Sequence, residues 1–349
     1  MTLQPRVAFS WNGLPQFAAR LFRAAMDRLG RDCVVVGSRP EFPVEGMERV
    51  LRCKVHWVDA GKPVTWAELG LQPPDIFFQS GWSYPAFSDL GRQVRAAGGQ
   101  VICISDANWR GDFRQMVLGP VAFRLLHRQA FAAMLVPGKN GTRLMRYFGM
   151  PETRIHRGML GADPALFNGG PPLPERPKRF LFVGRFDENK NVVGLAEAFV
   201  RFSTRTPGWE LHIAGTGNLR PLIPRAANIV THEFVQPEQL GDLFRAARFF
   251  VLPSLQEAWG MVVHEAASCG CGLLLSQSVG SGADLATPVN AIRFRPGSVE
   301  AIELALTRAA AFDDAALVKA EVVSRELAAA FGPARFADEV VQIVTAISR

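Results

Sequence analysis

The chain is poor in the features that would give several kinds of function away. Its five cysteines, at 33, 53, 103, 269 and 271, include no C-x-x-C pair, and their odd number argues against a disulfide framework. They read as reduced, buried small side chains of an intracellular protein. No apolar run approaches the ~18 residues that suggest a membrane span. The six histidines (56, 127, 156, 212, 232 and 264) show no ligand spacing, and His264 precedes Glu265 without an H-E-x-x-H continuation, so no metal centre is expected. Nor is there a helix-turn-helix, zinc-finger or RNA-reading aromatic signature, which argues against nucleic acid as a partner. The opening "MTLQPRVAFSW" enters a strand-like run at once, leaving no room for a signal peptide. A cytoplasmic location is expected.

What is present is ordinary in bulk and uneven in charge. Apolar residues make up 48% and charged residues 20% of 349, the composition of a soluble globular enzyme rather than a disordered chain. Residues 1–170 carry 21 Lys/Arg against 13 Asp/Glu, and the remainder 18 against 19, which together give the net +7. A basic half suggests an anionic partner such as a charged glycan or the inner face of a membrane, touched peripherally; solubilising arginines are the plainer reading.

Along the chain, short and nearly continuous apolar runs alternate with helical stretches. "RVAFS" (6–10), "CVVVG" (33–37), "IFFQS" (76–80), "QVICIS" (100–105) and "AMLVPG" (133–138) suit strands covered on both faces, the mark of parallel sheets. Between the first two, Phe17, Leu21, Ala25 and Leu29 recur every fourth residue, with Arg20, Arg23 and Arg28 off that stripe. The segment "NGGPPLPERPKR" (168–179) breaks the rhythm and reads as a hinge. The alternation restarts with "RFLFVG" (179–184), "LHIAG" (211–215), "NIVTH" (228–232), "FFVLPS" (249–254) and "GLLLSQ" (272–277). Two serial Rossmann-like α/β domains are expected, over 1–170 and 171–334, followed by a closing amphipathic helix over 335–349. Ligands of open α/β sheets bind at the carboxyl ends of strands, so the expected site is the cleft between the halves.

The chemistry concentrates in "PSLQEAWGMVVHEAASCG" (253–270). A strand ends in a loop holding Glu257, and a helix opens near Gly260 and stops at Gly270. Glu265 lies in that helix among Val262, Val263, Ala266 and Ala267, where an unpaired buried carboxylate is costly. Free N–H groups at Gly260 and Met261 make an anion site, and glycine lets the anion come close. A diphosphate there would have Glu257 facing its outer substituent and Glu265 accepting from a ribose diol. The plain alternatives are a solvated loop residue for Glu257 and an arginine-paired carboxylate for Glu265. Upstream, "FLFVGRFDENKN" (180–191) ends a strand at Gly184 and follows it with Arg185 and Lys190, two cations able to neutralise a diphosphate. Asn189 or Asn191 is a plausible cap of the next helix. "HIAGTGNL" (212–219) is a third strand-then-glycine loop, around Gly215; a lone G-x-G is a weak signal.

Taken together, "VGRFDENKN", "WELHIAGTGNL", "FFVLPSLQEAWGMVVHEAASCGCGLLLS" and "GMLGADPALF" (158–167) resemble the retaining glycosyltransferases of the GT-B fold, family 4 in particular. The likeness is specific over about 180–277. It implies two Rossmann-like domains facing each other across a cleft, a nucleotide diphosphosugar as substrate, no metal or other cofactor, and a glycan, lipid-linked or small-molecule acceptor bound by the first domain. It makes Arg185 and Lys190 the diphosphate-contacting pair, with Gly184 and Gly215 beside the donor. Glu257 and Glu265 become the two acids of the E-x7-E motif, with main-chain donors at Gly260 and Met261. Base contacts would come from the main chain of 231–240.

The first half departs from that pattern. Its first strand–helix loop, "SWNGLPQF", has Gly13 alone where many members have two glycines, and Asp106 in "ICISDANWRGD" stands where a histidine often faces the acceptor. Asp106 is therefore either a site residue or a helix cap. Trp11, Trp82 and Trp109 could stack on sugars, though packing against loops is the commoner role. The family is discussed as using front-face attack, in which the departing phosphate takes the acceptor's proton and no separate base is needed. An epimerase on the same fold and a non-catalytic nucleotide-sugar-binding protein are the competing readings.

Overall fold

A computed structural model describes residues 4–40, 46–109 and 111–348. The chain divides into two units, Met1–Gly161 with Phe331–Arg349, and Ala162–Ala330. Each is a wholly parallel sheet whose connections are mostly helical, as continuous apolar runs require.

In the first unit the strands are β1 (Val7–Trp11), β2 (Val34–Gly37), β3 (Val55–Trp57), β4 (Ile76–Ser80), β5 (Gln100–Ile104), β6 (Ala133–Val136) and β7 (Ile155–Arg157). They lie in the order β3-β2-β1-β4-β5-β6-β7. The helices are α1 (Gln16–Leu29), α2 (Met47–Leu51), α3 (Pro85–Ala96), α4 (Gly119–Leu126) and α5 (Lys139–Tyr147). On α1 the buried face is Ala18, Leu21, Phe22, Ala25 and Met26, while Phe17 and Leu29 are half-buried. The expected every-fourth stripe is thus one edge of a wider contact, as a helix packed on a sheet needs.

The second unit holds β8 (Arg179–Val183), α6 (Val192–Arg205), β9 (Glu210–Ala214), β10 (Ile229–His232), α7 (Pro237–Arg245), β11 (Phe249–Leu252), α8 (Met261–Ser268), β12 (Gly272–Ser276), α9 (Gly282–Leu285), β13 (Ala291–Phe294), α10 (Val299–Ala310) and α11 (Asp314–Ala328). Its sheet order is β10-β9-β8-β11-β12-β13. The chain winds outward one way from β8 and the other way from β11, so the switch point of the topology lies between those two strands.

The units part at Gly161/Ala162, ahead of the expected boundary at 170, because residues 162–179 are stitched onto the second unit. The Ala162 N–H donates to His264 Nδ1 (2.9 Å) and Phe167 packs edge-on to Phe244. Arg176, 1% exposed, donates to the carbonyls of Pro171, Phe244, Ala247 and Cys269. A buried guanidinium whose three nitrogens all find oxygens is tolerable where a free one is not. The proline-rich stretch is therefore a tied-down strap, not a free hinge.

The last helix, α12 (Pro333–Ile347), belongs to the first unit. Phe336 packs against Phe9 and Phe22, Asp338 pairs with Arg28, and Glu339 accepts from His156 Nδ1 (2.8 Å). All five cysteines are free, and burial pushes the Cys33 and Cys271 thiols up to about 11, which keeps them protonated and unreactive.

Candidate functional site

Four loops at the carboxyl ends of β8, β9, β11 and β12 meet at the second unit's switch point, where open α/β sheets take their ligands. The loop after β8 is fixed first. Asp187 accepts from the Lys190 N–H (2.9 Å) and so caps a tight turn over Glu188–Lys190, before Asn191 takes a left-handed conformation and α6 begins. Asn191, one of the two expected caps, holds the N-cap position of α6 without a side-chain hydrogen bond, and Asp187 caps only the turn before it. Asn189 instead reaches the loop after β11, accepting from the Gln256 N–H (3.1 Å) and donating to the Gln256 carbonyl (2.9 Å).

The loop after β9 closes on the same turn. Phe186 donates its N–H to the Thr216 carbonyl and accepts at its own from Leu219. Gly215, at φ 139°, comes so near that a Cβ there would stand 2.0 Å from the Gly184 carbonyl oxygen. Gly215 is demanded by loop-on-loop packing, whatever else it does. The loop after β12 clamps that of β11 from the other side: Gly280 and Ser281 donate to the carbonyls of Glu257 and Trp259, and Glu257 donates to Ser278.

This frame brings Lys190 Nζ onto Glu257 Oε2 as an ion pair between side chains each 15% exposed. The buried Ser254 donates its hydroxyl to the same oxygen at 3.3 Å. Arg185 is not part of that pair; it is half-exposed and bound to Asp187 at 3.1 Å. Gly260, at φ 85°, opens α8 with no side-chain cap, beside the Glu257 side chain, so the helix turns its first N–H groups and positive end to this loop. Further along α8, Glu265 is half-buried as a residue, but its Oε2 is sealed from solvent and has no hydrogen-bond partner. Desolvation pushes its carboxyl up to about 8. The arginine-paired alternative for Glu265 is not what the structure holds. His264, buried beside it, bridges Ala162 N–H and the Ala328 carbonyl, and burial lowers it to about 4.

Reading by residue type passed over three contributors here. Ser254 was visible only as a small polar residue in a loop, and Asn189 only as a candidate helix cap. His232, at the end of β10, meets His212 Nδ1 at 3.0 Å, and His212 Nε2 meets Glu210 Oε2 at 3.2 Å. Two histidines 20 positions apart become neighbours because β9 and β10 pair in register. Among the described residues no group of three or more His, Cys, Asp or Glu could hold a metal ion.

Gly13 and Asp106 belong to the first unit. At that unit's own switch point, between β1 and β4, the Gly13 N–H donates to Ser38 Oγ (2.7 Å) and the Asn12 N–H to Ser80 Oγ (3.1 Å). Serine hydroxyls therefore accept both of these loop N–H groups. Asp106 is exposed after β5; the turn over Arg114–Leu118 is capped by Asp112, whose Oδ1 accepts from Gln115 N–H at 2.8 Å. Trp11 packs against Phe17 and Phe22, Trp82 against Phe123, and Trp109 against Tyr147.

Residues 177–311 match the family model described as glycosyl transferases group 1. The two parallel α/β units are those of the GT-B fold. A crystal structure of a glycosyltransferase from Rickettsia africae superposes with a TM-score of 0.76 at 10% identity, over 99% of each chain. The Anabaena protein HepE, crystallised with UDP-glucose, superposes with a TM-score of 0.72 at 12% identity, over 98% of this chain and all of that one (100%). Among curated sequences, the D-inositol 3-phosphate glycosyltransferase of Rhodococcus erythropolis is 30% identical over 161 residues. That match covers 40% of this chain and 36% of the relative, so the alignment spans little more than a third of the relative's length. No described helix is long and apolar enough to cross a membrane.

Proposed function

We propose that this protein is a retaining glycosyltransferase of the family 4 type, moving a sugar from a nucleotide diphosphosugar to a hydroxyl of a glycan, lipid-linked or small-molecule acceptor. The observation that carries the reading is the Lys190–Glu257 pair beside the uncapped start of α8, at a switch point inside the segment matching group 1 glycosyl transferases.

In this reading the donor's diphosphate lies against the N–H groups of Gly260 and Met261, with Lys190 and Arg185 as counter-charges and Gly184 and Gly215 keeping the loops thin enough for it to enter. Glu257, already oriented by Ser254 and Lys190, accepts from a hydroxyl of the donor sugar. Glu265 gives up its proton as the ribose diol supplies the two donors its sealed oxygen lacks. The bond from the anomeric carbon to the phosphate oxygen breaks while the acceptor oxygen bonds to the same face, and the acceptor's proton passes to the departing phosphate. The protein's work is then orientation and charge stabilisation. No metal is needed, because cationic side chains and a helix start supply the positive charge. Asp106 and Gly13, on the first unit, are assigned to the acceptor's side.

Incubating the protein with a panel of UDP-, GDP- and ADP-sugars tests this. Release of nucleoside diphosphate that depends on an added acceptor, without divalent metal, is the expected result. Sugar isomerisation without acceptor would replace the reading by an epimerase, and ligand-induced stabilisation without turnover by a binding protein.

A further inference from the structure

We propose that the helical stretch from Phe113 to Leu126 docks this protein on an anionic lipid bilayer. The wide π turn over Arg114–Leu118 runs straight into α4. One side of this stretch is already satisfied: Phe123 is buried against Trp82 and Phe148, at ring distances of 5.6 and 5.4 Å. A helix packed on one face should be polar on the other. Here the other face is apolar too, with Phe113 76%, Leu125 78%, Leu126 70%, Leu118 59% and Val121 56% exposed. Among the described residues, seven of the sixteen large apolar side chains left exposed fall within 113–126. The rest are scattered, which is ordinary; a cluster of this kind marks a docking surface.

Charge identifies what docks. Between Asp106 and Glu152 the sequence has seven Lys/Arg against three acids, Asp106, Asp112 and Glu152, the last paired with Arg146 at 3.6 Å. Arg124, Arg128, Arg143 and Arg146 are exposed around the apolar patch. Arginines bordering leucines match an anionic headgroup layer over an acyl boundary. A second copy of the chain would set arginine against arginine, and an aqueous polyanion would leave the leucines wet. The display is also held in shape. Pro120 has no N–H, so the Met116 carbonyl loses its partner at the i+4 position, and the Tyr147 hydroxyl donates to that carbonyl at 2.8 Å instead. The inference stands apart from the donor chemistry and would survive its failure.

Flotation of the full chain with vesicles of phosphatidylcholine, and of phosphatidylcholine with phosphatidylglycerol, tests it. The protein should rise with the anionic vesicles and release as salt is raised. The double variant Leu125→Ser/Leu126→Ser should partition more than about tenfold less, and Arg124→Gln/Arg128→Gln roughly fivefold less per arginine removed. These side chains are exposed, so melting temperatures should match the parent. The proposal is overturned if the parent stays down with anionic vesicles, or if both variants float as the parent does. It is equally overturned if light scattering shows the patch holding two copies together while flotation is unaffected by the serines.

Discussion

Lys190 and Glu257 stand 67 positions apart and form one ion pair. Lys190 closes the turn after β8, Glu257 hangs in the loop after β11, and those strands are the neighbours at which the sheet's winding reverses. The pair therefore spans the switch point, with Asn189 tying the same two loops through the backbone of Gln256.

Removing one half of that pair should separate chemistry from folding. Lys190→Ala is expected to lower kcat by about 10²–10³, the scale of a lost charge stabiliser, while leaving Glu257 without its cation. In urea unfolding, a cycle with Glu257→Gln should give a coupling of about 1–3 kcal/mol. Additive single variants would mean that the two side chains do not act together.

Glu265 should make nucleotide binding pH-dependent. Its carboxyl, raised by desolvation to about 8, is protonated at neutral pH and must ionise to accept two hydroxyls. Affinity for the preferred nucleoside diphosphate should rise with pH and level off above about 8, with proton release visible by calorimetry in buffers of different ionisation enthalpy. Glu265→Gln should bind more weakly and show neither effect. In the free protein the same shift has a stability sign: the native state holds a proton that the unfolded chain sheds above its usual value of 4.5. Stability from this group is complete below that value and is lost as pH rises through about 8. Glu265→Gln should therefore gain on the parent as pH increases.

His264 runs the opposite way. Burial lowers it to about 4, so the unfolded chain takes up a proton below 6.5 that the native state refuses. Its contribution is present above pH 6.5 and fades as pH falls toward 4. Acid unfolding followed by circular dichroism should show that slope, and His264→Phe should flatten it. The variant should also lose about 2–5 kcal/mol, since the Ala162 N–H and the Ala328 carbonyl are left buried without partners.

Gly215→Ala compared with Gly208→Ala isolates a steric cost. Both glycines have positive φ, but nothing lies within 4 Å of a Cβ at Gly208, whereas at Gly215 it would meet the Gly184 carbonyl at 2.0 Å. Gly208→Ala should cost about 1–2 kcal/mol of backbone strain. Gly215→Ala should cost clearly more in the same denaturant titration and should impair donor turnover, because the β8 loop has to move. Equal losses would remove loop packing as the reason for that glycine.

The long apolar runs were legible because local rules write them: "IFFQS" is β4 residue for residue, and ten of the strands coincide with runs read from the chain. The edge strands β3, β7 and β13 escaped; β3 and β7 have only three residues each, and β13 carries Arg293 in its middle. The strand-end loops offered Glu257, Glu265, Lys190 and Arg185 as candidates and the resemblance gave them roles, but neither could say that Lys190 holds Glu257 while Arg185 turns to Asp187. Likewise, the serines that accept from Asn12 and Gly13 reach that loop only once β1, β2 and β4 lie side by side.

The sequence alone marked ten of the strands and the stripe of α1, since a continuous apolar run or a stripe at helical spacing is a property of near neighbours. It also determined the polar residues available at the strand ends. Only the tertiary structure decided which of them meet: the return of α12 to the first unit, the strap pinned by Arg176, the contact of His212 with His232, and a sealed oxygen on Glu265. Those relationships join residues tens to hundreds of positions apart, and they follow from strand register and side-chain shape, which no local pattern encodes.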